Sequence, residues 1–165
     1  MVAGLGERVG EDAVTVVSVT VEVEAPPEDV WEVIANPANL PHWDRHIVRV
    51  LGVPEGGLAR GVDYVTEMRF MAVHAKVAAE VLEWDPPRRS AIRLSGLLDA
   101  TVTSTVEGLG GGRSQLEHVV EYRFRGGPFG DIVARSLRLV GGAQYALRRG
   151  TLAQKREIET GRRSS

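Results

Sequence analysis

The stretch that decides the fold is residues 19–43, which read VTVEVEAPPEDVWEVIANPANLPHW. It continues an alternation of valines with polar residues that begins at Val14, and a period of two is typical of a strand with one buried face. Ala25-Pro26-Pro27 ends this strand, because proline lacks the N–H that a ladder hydrogen bond needs. Apolar residues then recur over residues 28–35 behind two acidic residues, which predicts a short helix, and residues 39–43 predict a second one.

The period returns to two after these helices, with interruptions at short turns rich in glycine and proline. This pattern predicts further strands over residues 46–51, 63–71, 73–84, 90–95, 98–107 and 115–125. Short consecutive connections are typical of an antiparallel meander. One polar face on each strand indicates that one face of the sheet meets water.

The last long segment, residues 128–158, has apolar residues at three-to-four spacing and predicts a single helix. It is the only long amphipathic element available to cover the apolar face of the sheet. We interpret the mid-helix pair Gly141-Gly142 as a flexible point that lets the first half of this helix move over a cavity mouth. Because a curved sheet and a straight helix cannot touch everywhere, an internal hydrophobic cavity is expected between them.

The predicted fold class is therefore α+β. About seven antiparallel strands form a curved sheet wrapped around a long C-terminal helix, and two short helices follow the first strand. We expect a flexible N-terminal tail over residues 1–13, a single domain over residues 14–158 and a frayed C-terminal tail over residues 159–165.

Composition excludes several classes of protein. The net charge of -2 gives no basic field for nucleic acid, and the absence of cysteine excludes disulfides and thiolate chemistry. No apolar run approaches the roughly 20 residues of a membrane span. The N-terminal residues lack the apolar core of a signal peptide. We therefore expect a cytoplasmic protein without a nucleic-acid partner.

Three stretches resemble the SRPBCC superfamily, the helix-grip fold of START domains, polyketide cyclase/dehydrases and birch-pollen-allergen-type proteins. They are residues 19–43, VLEWDPPRR at residues 81–89 and GGGRSQLEHVVEYRF at residues 110–124. In its length and in the spacing of its glycine- and proline-containing turns, the chain is similar to the polyketide cyclase/dehydrase group. This resemblance implies the helix-grip fold. It also implies a protein that binds a hydrophobic small molecule and promotes its cyclisation or dehydration without a cofactor.

The chain departs from the aromatase/cyclases of that group, which line the cavity with several aromatic residues and an inward arginine. Aromatic residues make up only 5% of this chain. The predicted strand over residues 98–107 offers Ala100, Val102, Ser104 and Val106 at the positions where such rings would stand. We therefore expect a more aliphatic ligand.

His118 and Tyr122 are the candidate catalytic residues. They share a strand face with Leu116 and Val120, so the alternation directs them towards the cavity. Histidine exchanges protons near neutral pH, and tyrosine can donate a hydrogen bond to a carbonyl or enolate oxygen. Two other interpretations stay open: contact with a ligand without chemistry, and core residues whose polar atoms bond to backbone or buried water.

Other residues are expected to line the cavity because they share its predicted face or lie at its rim. They are Trp43, His46, Tyr64, Thr66, Met68, Phe70, Val102, Ser104, Val120, Val140 and Gln144. His42 and His46 have the spacing of two zinc ligands on a helix. Pro41 interrupts that helix and the chain has no HExxH motif, so we predict no metal site.

Three functions therefore remain to be separated. The first is a small cyclase or dehydratase, and the second is a non-catalytic carrier of a lipid, isoprenoid or polyketide. The third, a protein-interaction module such as a chaperone co-regulator, needs a large exposed apolar patch that the pattern lacks. We leave open whether the chain forms a homodimer.

Overall fold

The computed structural model describes residues 14–70, 72–96, 98–124, 135 and 142–163. One sheet holds all seven described strands, in the order β1-β7-β6-β5-β4-β3-β2, and every neighbouring pair is antiparallel. The predicted antiparallel meander is therefore confirmed. The strands are β1 Thr15–Val23, β2 Ile47–Leu51, β3 Asp63–Phe70, β4 Val73–Asp85, β5 Arg89–Ser95, β6 Leu98–Gly110 and β7 Arg113–Phe124.

Two short helices follow β1, as predicted. Helix α1 spans Pro27–Ile34, and after a 3-10 turn at Pro37–Asn39 helix α2 spans Leu40–Trp43. Proline at the first helical position and the acidic pair Glu28 and Asp29 favour the start of α1, because no N–H is lost and the helix dipole is complemented. The Asn36 side chain accepts a hydrogen bond from the Ala38 N–H at 3.0 Å and so begins the 3-10 turn.

The terminal helix, α3, spans Gly142–Arg163. Gly142 has φ of 88°, a left-handed value that the interior of a right-handed helix does not contain. The prediction of one continuous helix through the glycine pair is therefore wrong at Gly142, where the described helix begins. At its other end α3 continues past the predicted end at Ile158. Val140 and Gly141, like the predicted N-terminal tail, lie outside the described residues.

Polar contacts fix α3 to β1 and α2. Gln144 Nε2 donates to the Ser18 carbonyl at 2.7 Å, and Lys155 Nζ donates to the Glu22 carbonyl. Glu157 accepts a hydrogen bond from Trp43 Nε1 at 2.6 Å. Because these contacts are spread along the helix, its middle is held across the inner face of the sheet.

Two apolar clusters form the core. One contains Val23, Val30 and Leu116 and is closed by Ile158 of α3. The other is built around Tyr64 on β3. Trp84 contacts both clusters, and its ring meets that of Trp31 edge-on with centroids 5.1 Å apart. The sheet and α3 are thereby joined into a core that still leaves room between them.

Candidate functional site

A cavity of about 410 Å³ lies between the inner face of the sheet and α3. Most of its lining is apolar, with contributions from the sheet, α1, α2 and α3. The predicted internal hydrophobic cavity is therefore present.

A row of polar side chains crosses the apolar wall of this cavity. Strand register places Ser90 of β5 opposite Ser104 of β6, and Ser104 opposite His118 of β7. The three residues are buried, with exposed fractions of 6%, 9% and 5% respectively. Gln154 reaches His118 from α3. These four side chains are referred to below as the polar row.

Hydrogen bonds in the polar row define the tautomer of His118. Its Nε2 lies 2.7 Å from Gln154 Oε1, and its Nδ1 lies 2.8 Å from Ser104 Oγ. Because an amide oxygen only accepts, the ring proton is assigned to Nε2. Nδ1 then accepts the hydroxyl proton of Ser104. The result is a neutral imidazole whose basic nitrogen is aimed at a serine hydroxyl.

Burial determines the charge of this imidazole. Loss of hydration lowers the pKa of His118 below its ordinary value of 6.5, while the Gln154 hydrogen bond and the charge of Glu117 act in the opposite direction. His118 is therefore neutral at pH values near 7 and is able to accept a proton. Its ring nitrogens bond to side chains rather than to backbone.

Two tyrosines supply hydroxyl groups to the same cavity. Tyr64 is 5% exposed, and burial raises its pKa to about 12, so its hydroxyl remains a neutral donor. Within the described ranges, that hydroxyl has no hydrogen-bond partner. Tyr122 stacks edge-on against Phe124 with centroids 5.5 Å apart. Four residues of strand separate Tyr122 from His118, or about 13 Å, so the two meet different parts of a ligand.

The structure brings most of the predicted site residues to the cavity. Those that line it are Trp43, His46, Tyr64, Met68, Val102, Ser104, His118, Val120 and Tyr122. His46 is held at the rim by Asp44, whose Oδ1 lies 2.9 Å from His46 Nδ1. Val140 and the side chain of Phe70 lie outside what the structure describes.

Two predicted lining residues lie elsewhere. Gln144 is exposed and bonds to β1, because the inward face of α3 runs through Ala143 and Leu147 and Gln144 lies at the edge of that face. Thr66 is buried beside the cavity, and its Oγ1 donates to the Val77 carbonyl at 3.4 Å.

Sequence reasoning missed Gln154 and Ser90. The signal for Gln154 was present, because continuing the apolar spacing of α3 beyond Leu147 gives Thr151, Gln154 and Ile158. Thr151 and Ile158 are indeed buried. Ser90 precedes Ile92 and Leu94 on one face of β5, and all three line the cavity.

The His, Asp and Glu side chains of the described residues form no group of three that could hold a metal ion. None of the helices in the described ranges is both long and apolar enough to cross a membrane.

A family model described as polyketide cyclase/dehydrase and lipid transport matches residues 14–155. The chain belongs to this family. The description joins catalysts with lipid carriers, and both take up hydrophobic molecules. No curated protein matches the sequence significantly.

Solved structures with the same fold include enzymes and a START protein. The ZhuI aromatase/cyclase from Streptomyces sp. R1128 is 18% identical, with a TM-score of 0.71 over 89% of this chain and 94% of its own. Norcoclaurine synthase from Thalictrum flavum is 15% identical, with a TM-score of 0.64 over 91% and 97%. A START superfamily protein from Mycobacterium smegmatis is also 15% identical, with a TM-score of 0.64 over 88% and 97%. At these identities the likeness establishes the helix-grip fold alone.

Proposed function

We propose that this protein binds an apolar, mainly aliphatic small molecule in its cavity and assists its cyclisation or dehydration by acid–base catalysis. The observation that carries the proposal is a neutral, buried histidine, His118, in the wall of an apolar cavity. Family membership supports this class of reaction, since the matching family includes polyketide cyclase/dehydrases.

The cavity supports binding of a small molecule by its size and lining. Its volume of about 410 Å³ is within the range of ordinary ligand sites. Met68, Val102 and Val120 provide aliphatic surface for the chain of the ligand. Tyr64 provides a neutral hydroxyl at the cavity wall with no partner among the described residues, and a carbonyl oxygen of the ligand would accept its hydrogen bond.

The proposed chemistry is proton removal next to a carbonyl group. His118 Nδ1 accepts the Ser104 proton while Ser104 Oγ takes the proton of the ligand, because both ring nitrogens are already hydrogen-bonded and Ser104 also lines the cavity. The enolate oxygen that forms accepts a hydrogen bond from Ser90, which lies opposite Ser104 in the strand register. Tyr64 and Tyr122 lie in one row of the sheet, four residues further along the strands, and donate to other oxygens of the ligand.

A second function, non-catalytic transport of a lipid, isoprenoid or polyketide, is favoured by one specific observation. Both nitrogens of His118 are satisfied by protein side chains, which is also what a purely structural network requires. The family description includes lipid transport as well.

One experiment separates the two functions. Poly-β-ketone thioesters of increasing chain length are incubated with wild type, His118→Asn and Tyr122→Phe, and products are followed by liquid chromatography and mass spectrometry. Catalysis predicts cyclised or dehydrated products above background, with a loss of about 100-fold in His118→Asn. Binding of the thioesters without any product, together with an apolar ligand released intact from freshly purified protein, would instead favour the carrier. Failure to bind any apolar molecule would overturn both.

A further inference from the structure

We infer a second activity for this cavity, acyl transfer from an ester or thioester to water, with Ser104 as the nucleophile. The inference shares the cavity and His118 with the proposed function. It goes beyond that function because Ser104 forms a covalent bond rather than only passing a proton.

The position of Ser104 supports a nucleophilic role. Its Oγ lies 2.8 Å from His118 Nδ1, and the residue lines the cavity. A serine hydroxyl is a weak nucleophile unless an adjacent base takes its proton. His118 is such a base, since burial keeps its imidazole neutral.

Gln154 is a positioning residue in this arrangement. Its Oε1 accepts the Nε2 proton of His118 at 2.7 Å and thereby keeps the lone pair on Nδ1, facing Ser104. An aspartate performs this task in Ser-His-Asp triads, where the third group orients the histidine. A neutral amide fixes the same tautomer and stabilises the imidazolium less.

Ser90 supplies the oxyanion donor. It lies opposite Ser104 in the β5–β6 register, and same-face residues on neighbouring strands have Cβ atoms about 5 Å apart. Ser90 lines the cavity, and no side chain or backbone group in the described part of the chain hydrogen-bonds its hydroxyl. The hydroxyl is therefore available to the carbonyl oxygen of an acyl group held at Ser104.

The reaction balances with water as the only co-reactant. Ser104 Oγ bonds to the acyl carbon while its proton passes to His118 Nδ1. The bond from the acyl carbon to the leaving oxygen or sulfur then breaks, and that atom takes the proton from Nδ1. Water attacks the acyl-serine and loses a proton to Nδ1, which returns it to Ser104 as the carboxylic acid departs.

The aliphatic surroundings select an apolar acyl chain. Ile92 and Leu94 follow Ser90 along β5, and Val102 precedes Ser104 on β6, so a chain extending from Ser104 meets apolar side chains on both strands. The substrate class is an ester or thioester of an aliphatic acid.

Covalent labelling tests the inference directly. An octyl fluorophosphonate forms a bond from phosphorus to the serine oxygen and loses fluoride, and p-nitrophenyl octanoate reports hydrolysis. We expect one label per chain, mapped to Ser104 by peptide mass spectrometry. Labelling is expected to be lost in Ser104→Ala, about 100-fold slower in His118→Asn and about 100-fold slower in Ser90→Ala. Gln154→Leu should move the pH profile of labelling.

The matched control is Thr103→Ala, because Thr103 is the neighbour of Ser104 on the opposite face of β6. Its labelling rate should equal that of wild type. Wild-type protein that binds the apolar dye anilinonaphthalenesulfonate but carries no label at Ser104 would overturn the inference and leave the proposed function standing. Protein that binds neither the dye nor the fluorophosphonate would contradict the proposed ligand site itself. Because mapping uses wild type, the outcome does not depend on the folding of a variant.

Discussion

The two faces of the sheet use polar side chains in opposite ways. On the outer face, charged groups pair across neighbouring strands in contact with water, as Arg93 does with Glu80 at 2.9 Å. On the inner face, three uncharged side chains of the polar row, Ser104, His118 and Gln154, bond to one another inside an apolar cavity. Exposed ion pairs contribute about 0–1 kcal/mol, whereas a buried polar group that loses its partner costs about 1–3 kcal/mol. This contrast between exposed ion pairs and buried hydrogen bonds indicates that the polar side chains of the inner face serve a particular site.

The largest effect should come from exchanging one histidine on each face. His118→Asn removes the buried base, whereas His74→Asn changes an exposed side chain on the outer side of β4. We expect the rate of fluorophosphonate labelling to fall about 100-fold in the first variant and to stay at the wild-type value in the second. Similar losses in both variants would remove the distinction between the faces.

The free energy of unfolding should also respond differently to changes on the inner and outer faces of the sheet, with a smaller effect. Gln154→Leu leaves the Nε2 proton of His118 buried without a partner, and we expect the free energy of unfolding to drop by about 1–3 kcal/mol. Arg93→Ala breaks an exposed pair and should cost less than about 1 kcal/mol. Urea titrations of both variants measure the two values. An equal cost for the two changes would contradict the assignment of a buried polar row.

The start of α3 offers a change that acts on stability but not on the polar row. Gly142 has φ of 88°, so Gly142→Ala places a side chain on a left-handed backbone and should lower the free energy of unfolding by about 1 kcal/mol. Gly150→Ala, inside the same helix with only ordinary contact to the Trp43 carbonyl at 3.9 Å, should raise it by about 0.5–1 kcal/mol. Labelling at Ser104 should be unchanged in Gly142→Ala, because Gly142 does not line the cavity. A gain in stability from Gly142→Ala would instead support a continuous helix.

The pH dependence of the free energy of unfolding should reveal the lowered pKa of His118. Because burial lowers this pKa below 6.5, the unfolded chain binds the proton more readily than the folded protein. The contribution of neutral His118 to stability is complete at pH values above its ordinary pKa of 6.5. It is lost as the pH falls through the lower pKa of the folded protein. Unfolding free energies at about pH 7.5 and about pH 5 should therefore differ more in wild type than in His118→Asn. Equal differences in the two proteins would contradict the shift.

Much of the fold could be predicted from the sequence because its signals are local. Alternation along β1, the proline turn before α1 and glycine-punctuated turns each fix a nearby element. The interruption of the predicted helix at Gly142 could not be predicted, because glycine is compatible both with a helix interior and with a left-handed backbone. The pairing of β1 with β7 joins the two ends of the meander and has no local signature.

The candidate site was predicted only in part, for the same physical reason. The inward direction of His118 and Ser104 follows from alternation within single strands. Their contact depends on register across the β6–β7 hairpin, which an irregularity between Gly108 and Gly110 shifts. Gln154 comes from a separate helix, and nothing along the strands indicates which residue of that helix meets His118. Partners of a buried group are therefore harder to predict than the group itself.

The most direct test of the central claim is an NMR measurement of the His118 ring in isotopically labelled protein, assigned by the signal that is missing in His118→Asn. Nitrogen–proton correlation spectra distinguish the two neutral tautomers and the charged form. The account predicts a neutral ring protonated at Nε2 and bare at Nδ1, which stays neutral as the pH falls through 6.5. A ring protonated at Nδ1, or one that is charged at neutral pH, would contradict it.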